Sequence, residues 1–162
     1  LIEGMKDGLP LGWGGSVNWK KDDLAKLKIE KDDTVLFQGR PSTRVTFGPF
    51  AERTWWQLIQ NIEWARKDLR GKKVRLTYYI YRDAPYKDTA RDFICRARLP
   101  AGGTYARPTA LDVSQVTVPG AWTRVVIRGK VDAQAEFFNF TLQNQTREDR
   151  FWIAGFLLEE EE

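Results

Sequence analysis

No histidine occurs in the 162 residues, and there is one cysteine, Cys95. The first absence excludes serine and cysteine triads that use imidazole as their base, together with His-ligated zinc sites. The second excludes an internal disulfide and cysteine-based metal clusters. Cys95 sits in an apolar, strand-like run and reads as a small buried hydrophobe rather than a reactive thiol. No apolar stretch approaches the ~20 residues of a membrane span. The opening "LIEGMKDG" is neither a basic nor an apolar leader. A chain that starts without Met and stops in "EEEE" reads as a mature protein or a piece of a longer one. Repeats and linkers are missing too, the acidic end being the one biased segment, so residues 1–162 read as a single domain.

What is present is mostly β. "STRVTF" (42–47), "KVRLTYYIYRD" (73–83), "DFICRARL" (92–99), "WTRVVIRGKV" (122–131), "AEFFNFTLQN" (135–144) and "RFWIAGFLLE" (150–159) each alternate polar with apolar residues. Turn chemistry separates them, in "LRGKK", "RDAPYKD", "LPAGGTYARP", "VPGAW" and "NQTRED". Weaker strands are expected near 2–5, 16–19, 35–38 and 113–118. The one helical suggestion is "KKDDLAKLKIEKDD" (20–33), with Leu24 and Leu27 three apart; a polar loop is the other reading. Many antiparallel strands without alternating helices predict an all-β fold, a two-sheet antiparallel β-sandwich of jelly-roll type.

Side chains alternate along a strand, so each run divides into two faces. In 74–81 the core set is Val74, Leu76, Tyr78 and Ile80, leaving Arg75, Thr77, Tyr79 and Tyr81 outside. In 93–99 it is Phe93, Cys95, Ala97 and Leu99, leaving Ile94, Arg96 and Arg98. In 137–144 Phe138, Phe140 and Leu142 make the better core, against Phe137, Asn139, Thr141 and Gln143. Val125, Ile127 and Val131 point in, while Arg124, Arg128 and Lys130 point out.

The run "RTWWQLIQNIEW" (53–64) packs three tryptophans among amides. One parity gives Trp55, Gln57, Ile59, Asn61 and Glu63; the other gives Trp56, Leu58, Gln60, Ile62 and Trp64. The second set is more core-like and the first more like a ligand face, although a bulge would exchange the two leading tryptophans. Outer faces made of rings, amides and guanidinium groups suit a sugar. The apolar side of a pyranose stacks on a ring, and its hydroxyls and carboxylates take planar donors. Trp64, Trp122 and Trp152 read as structural.

Twenty-six Lys and Arg against 22 Asp and Glu give a formal charge of +4, and four of the acids are the terminal glutamates. The rest of the chain is therefore more basic than the total. Solubility alone accounts for that, and so does attraction to an anionic partner such as a uronate-containing glycan. Basic residues scattered over several strands, with no RNP-like phrase, do not describe a nucleic-acid binder.

The order of these pieces resembles the carbohydrate-binding modules of the family 4/9/16/22 group. "LIEGMKDGLPLGW" (1–13) is similar to their opening phrase, with Met5 and Lys6 at its Phe-Glu positions, then Gly8, Gly12 and Trp13. "FQGRPSTRVTF" (37–47), "LRGKKVRLTYYIYRD" (69–83), "GAWTRVVIRGKV" (120–131) and "FWIAGFLLEE" (151–160) follow in the family's sequence of motifs. The resemblance implies a jelly roll whose concave face binds polysaccharide, without catalysis or cofactor. It further implies a secreted, extracellular, monomeric module tethered to a glycoside hydrolase or lyase. It places a binding aromatic in "RTWWQLIQ" and further contacts on neighbouring strands. Alternation selects Trp55, Trp56, Gln57, Tyr79, Tyr81, Arg96, Arg98, Asn139 and Gln143. Two departures stand out. Many members hold a calcium ion with an early Glu and a late Asp, where this chain has Lys6, Ala154 and Gly155, so that site is expected to be absent. The outward arginines shift the expected ligand towards an acidic or substituted glycan.

Two other classes compete. A hydrolase needs a pair of carboxylates, and the candidates inside strands are Glu63 and Glu136, without a paired motif; a lyase would need Tyr79 or Tyr81 beside Arg96. A protein-interaction or structural sandwich would use the tryptophans against a neighbouring domain.

Overall fold

A computed structural model of the chain describes residues 2–3, 5–6, 9–10, 13–17, 25–62, 68–84, 91–98, 105–106 and 118–162. Side chains are described for 25–56, 68–84, 118–136 and 145–162. The strands are β1 (Ile2–Glu3), β2 (Met5–Lys6), β3 (Leu9–Pro10), β4 (Trp13–Val17), β5 (Leu27–Phe37) and β6 (Arg40–Phe47). They continue with β7 (Thr54–Ile62), β8 (Lys73–Tyr81), β9 (Arg91–Arg98) and β10 (Tyr105–Ala106), then β11 (Thr123–Lys130), β12 (Phe137–Thr146) and β13 (Asp149–Glu161). One sheet runs β11-β8-β13-β6-β5, with β1 also paired to β13; the other runs β10-β9-β12-β7-β4. Every strand pair is antiparallel.

The inner face of the first sheet follows the predicted parity. Val74, Leu76, Tyr78 and Ile80 of β8 are buried, as are Val125 and Ile127 of β11, and Phe151, Ile153, Phe156 and Leu158 of β13. Tyr78 stacks on Phe156 with centroids 4.9 Å apart. The second sheet closes the core through Trp56, fully buried, whose ring lies 5.5 Å from that of Phe47 and 5.8 Å from that of Phe151. A buried indole N–H must find an acceptor. Here Trp56 Nε1 donates to the hydroxyl of Thr146, itself fully buried, at 3.1 Å. Arg82 and Asp149 form a buried, two-pronged pair at 2.8 and 3.3 Å, with the guanidinium 5.4 Å from the centroid of the Phe151 ring. Burial pushes the Asp149 carboxyl up, and Arg82 pulls it back.

Two segments depart from expectation. Residues 27–33, read as part of a helix or loop, belong to β5 instead. Leu27 and Ile29 face Phe47 and Val45 of β6 and pack on the core, while Lys28 and Glu30 are exposed. Five charged residues between 28 and 33 hide that period-two signal. The acidic end is likewise no free tail, since β13 runs to Glu161 and pairs with β8 throughout its last residues. Residues 113–117, the greater part of the last weak strand predicted, lie outside the described residues.

A bulge between Asp32 and Leu36 breaks the pairing of β5 with β6. Asp32 organises it. One carboxylate oxygen accepts from the Thr34 amide (2.7 Å), the Thr34 hydroxyl (2.6 Å) and the Val35 amide (3.0 Å). The other accepts from Trp152 Nε1 on β13 at 2.9 Å. Burial raises the carboxyl's pKa, and the bonds from Thr34, Trp152 and Val35 outweigh it, holding the group well below the ordinary carboxylate range.

Beyond the bulge the hairpin tip folds over the outer face of the first sheet. The Phe37 ring lies 4.5 Å from Tyr79 and 5.1 Å from Trp122, and Tyr81 lies 5.6 Å from both Trp122 and Trp152. Trp122 Nε1 donates to the Leu36 carbonyl at 2.9 Å, so residues beside the two sheet edges, β5 and β11, are clasped across the face. Gly155, at φ +64°, leaves room for this. A Cβ there would stand 2.9 Å from Phe37 Cε1 and 3.1 Å from Tyr79 Cδ2.

Two outcomes follow from these contacts. A depressed native pKa makes Asp32's contribution complete above the unfolded carboxylate range and lost as pH falls through the folded value. Asp32→Asn should therefore lower stability at neutral pH by about 2–3 kcal/mol and flatten the acid limb of the stability curve, measured by denaturant midpoints from neutral pH downwards. Gly155→Ala should cost about 1–3 kcal/mol through overpacking and a left-handed backbone, and a Phe37→Ala background should make that substitution cheaper in the same melts.

Candidate functional site

Burial of Trp56 fixes which side of the second sheet is inside. Residues of β7 on the opposite parity are Trp55, Gln57, Ile59 and Asn61. The register carries that outer side across three strands. Trp55 faces Gln145, and Gln57 faces Gln143, which in turn faces Asp92. Ile59 faces Thr141 and then Ile94; Asn61 faces Asn139 and then Arg96; Phe137 faces Arg98. On the other flank Ser16 of β4 faces Gln57. Rows of this kind are ~7 Å apart along a strand and ~4.8 Å apart between strands. From Trp55 to Asn61 the lane is therefore about 20 Å long, bounded by an aromatic at one end and arginine positions at the other.

The nine residues selected from the sequence divide into three groups. Trp55 is half-buried on the outer side, and Gln57, Arg96, Arg98, Asn139 and Gln143 occupy the same side by register, their side chains lying outside the described ones. Trp56 is corrected: it is a core residue, since its ring plugs the interior and its N–H is spent on Thr146. Tyr79 and Tyr81 are corrected as well. Both point outward as alternation requires, but from β8 in the first sheet, on the opposite side of the sandwich from Trp55. They belong to the clasp with Phe37, Trp122 and Trp152, where rings meet tilted or edge-on. For the same reason neither tyrosine stands beside Arg96, because β8 and β9 are in different sheets. Glu136 is exposed, and Glu63 lies outside the described residues.

Two residues at the aromatic end escaped the sequence reading. Arg53 donates from Nη2 and Nε to the Gln145 carbonyl at 3.0 and 3.3 Å. Gln145 is the cross-strand neighbour of Trp55. Arg53 is two residues before Trp55, so parity alone places it on the same side; Gln145 was read as turn, yet β12 continues to Thr146. The corner of the lane is thus a tryptophan, an exposed amide residue and a guanidinium held by a backbone carbonyl. Such a corner offers a flat apolar surface and fixed donors side by side.

No family model matches the chain, and no curated protein sequence does. Solved structures share its fold at low identity. A structure from work on the promiscuous specificity of carbohydrate-binding modules of the β-sandwich superfamily gives a TM-score of 0.69 at 15% identity, over 98% of this chain and 61% of that one. This chain therefore spans less than two thirds of that protein's length. A family 16 carbohydrate-binding module gives 0.61 at 15% identity, over 83% of this chain and 86% of its own. The family 22 xylan-binding domain of Paenibacillus barcinonensis gives 0.62 at 13% identity, over 98% and 91%. The chain has the two-sheet antiparallel fold of the β-sandwich carbohydrate-binding modules, the group that its motif order resembles.

Proposed function

We propose that this domain binds polysaccharide without transforming it, along the outer side of β7, β12 and β9. A sugar ring stacks on Trp55. Gln57, Asn139 and Gln143 orient hydroxyls along the lane, and Arg96 and Arg98 receive a carboxylate or other acidic substituent at its far end. The domain then serves as a secreted appendage that holds a catalytic domain near an extracellular glycan, and tethering raises the effective concentration of a weak binder. The supporting observation is the sealing of Trp56. It assigns the outward parity to the run of a tryptophan, amides and arginines, a combination that a solvated sheet face does not require. The neighbours named above, being carbohydrate-binding modules, agree with it.

An aromatic contact of this kind contributes ~1–2 kcal/mol, so Trp55→Ala should weaken retention about tenfold in affinity gels containing xylan, a mixed-linkage glucan or polygalacturonate. Its melting temperature should stay near that of the parent. Tyr79→Ala should retain binding to the same gels. Retention unchanged in Trp55→Ala, or lost in Tyr79→Ala alone, would move the site off this face. Release of reducing ends or of unsaturated uronate by the isolated domain would replace binding with catalysis.

A further inference from the structure

The outer side of the first sheet carries a second feature, on the sheet opposite the lane and meeting the aromatic clasp only at Arg124, which faces Tyr79. In the register of β8 with β11, Arg75 stands directly opposite Arg128, and Lys73 directly opposite Lys130. Like charges facing each other across an antiparallel pair destabilise a sheet, so two such rows in succession call for a counterweight. Part of it comes from the acidic end of β13. Glu159 accepts from Arg75 at 2.6 and 3.1 Å, and Glu161 lies 3.1 Å from Arg128 Nε and 3.6 Å from Arg75 Nη1. Glu160 pairs with Lys72 at 2.9 Å.

The counterweight is incomplete. Glu161 is the register neighbour of Lys73, but its carboxylate is drawn to the arginine row. Lys73 and Lys130 are both exposed and have no ion pair among the described residues, and the same holds for Arg124 further up β11. Arg128 remains more than half exposed despite its partner. Positions 124, 128 and 130 fall on one side of β11, at an edge of the sheet, and are joined by Lys73 and Arg75 from β8. The result is a ladder of two facing cation rows ~7 Å apart, with ~5 Å across the strands, and Arg124 two rows further along beyond Val126 and Thr77.

We infer that this ladder is a second binding surface, one that takes an acidic polysaccharide through its repeated carboxylate or sulfate groups. Glu159 and Glu161 occupy part of it as a built-in competitor. Regularly placed cations on a flat sheet match regularly placed anions on an extended chain. The rows of Lys73, Arg75, Arg128 and Lys130 carry no ring of their own for a base to stack on; the nearest, Tyr79, faces Arg124 beyond Thr77 and Val126 and is packed on Phe37. The surface is independent of Trp55, which lies on the other sheet.

The test uses the whole chain against polygalacturonate, dextran sulfate and a neutral xylan at low and high salt, with a DNA duplex and a DNA single strand as competitors. Retention on both acidic polymers should fall steeply with salt. Lys73→Gln with Lys130→Gln should weaken retention at least about fivefold and yet melt no lower than the parent, because it relieves facing charges. A merely structural role predicts the reverse pairing. Glu161→Gln should strengthen retention, and the salt-sensitive retention that the double lysine substitution removes should persist in Trp55→Ala. The two acidic polymers distinguish carboxylate from sulfate recognition. Retention unaffected by the double lysine substitution, salt-sensitive retention abolished by Trp55→Ala, or tighter competition by DNA than by either polymer would each overturn the inference.

Discussion

The hydrogen bond from Trp56 to Thr146 is where this sandwich commits itself. Both partners are fully buried and both lie at the end of β7 and β12 that is nearest the first sheet's rings. An indole N–H without an acceptor in that position would cost a full desolvation penalty. Sliding β7 by one residue would bring Trp55 inward and turn its lane amides, Gln57 and Asn61, towards the core. One contact thus decides the inside and, by exclusion, the outside.

The first sheet shows how far alternation can be read and where it stops. β8 and β11 behave as their sequences dictate, because β8 carries Val74, Leu76, Tyr78 and Ile80 at every second position and β11 carries Val125 and Ile127 in the same period. The first half of β5 does not look like a strand in composition, and its pairing with β6 through Leu27 and Ile29 makes it one. The acidic end shows the same thing in reverse: four identical residues carry no periodicity, and the arginines that hold them are far away in the chain. In the site, the amides and arginines of β7, β9 and β12 could be grouped from parity, since those strands are neighbours. Tyr79 and Tyr81 could not be separated from them. Parity states that a residue faces away from the core, and a sandwich has two such directions; strand order, a property of tertiary pairing, chooses between them.

The two outer faces solve different electrostatic problems. On the first sheet, charges are arranged in rows with partial internal compensation, and a buried ion pair, Arg82 with Asp149, is kept apart from them and packed on Phe151. A buried pair of that kind adds little net stability but penalises any packing that would leave one member alone. On the second sheet, the described corner uses a backbone carbonyl to orient the Arg53 guanidinium. Fixed orientation is what recognition of a hydroxyl or carboxylate pattern asks of an arginine.

Gly155 has a consequence for the history of such a chain. Its missing side chain is the seat of the Phe37 ring, and the same ring holds the hairpin tip down beside Trp122. A descendant acquiring any larger residue at 155 must first shed bulk at 37 or unfasten the hairpin. The order of those two changes is therefore not interchangeable, and the reverse sequence passes through a misfitted intermediate that selection would discard.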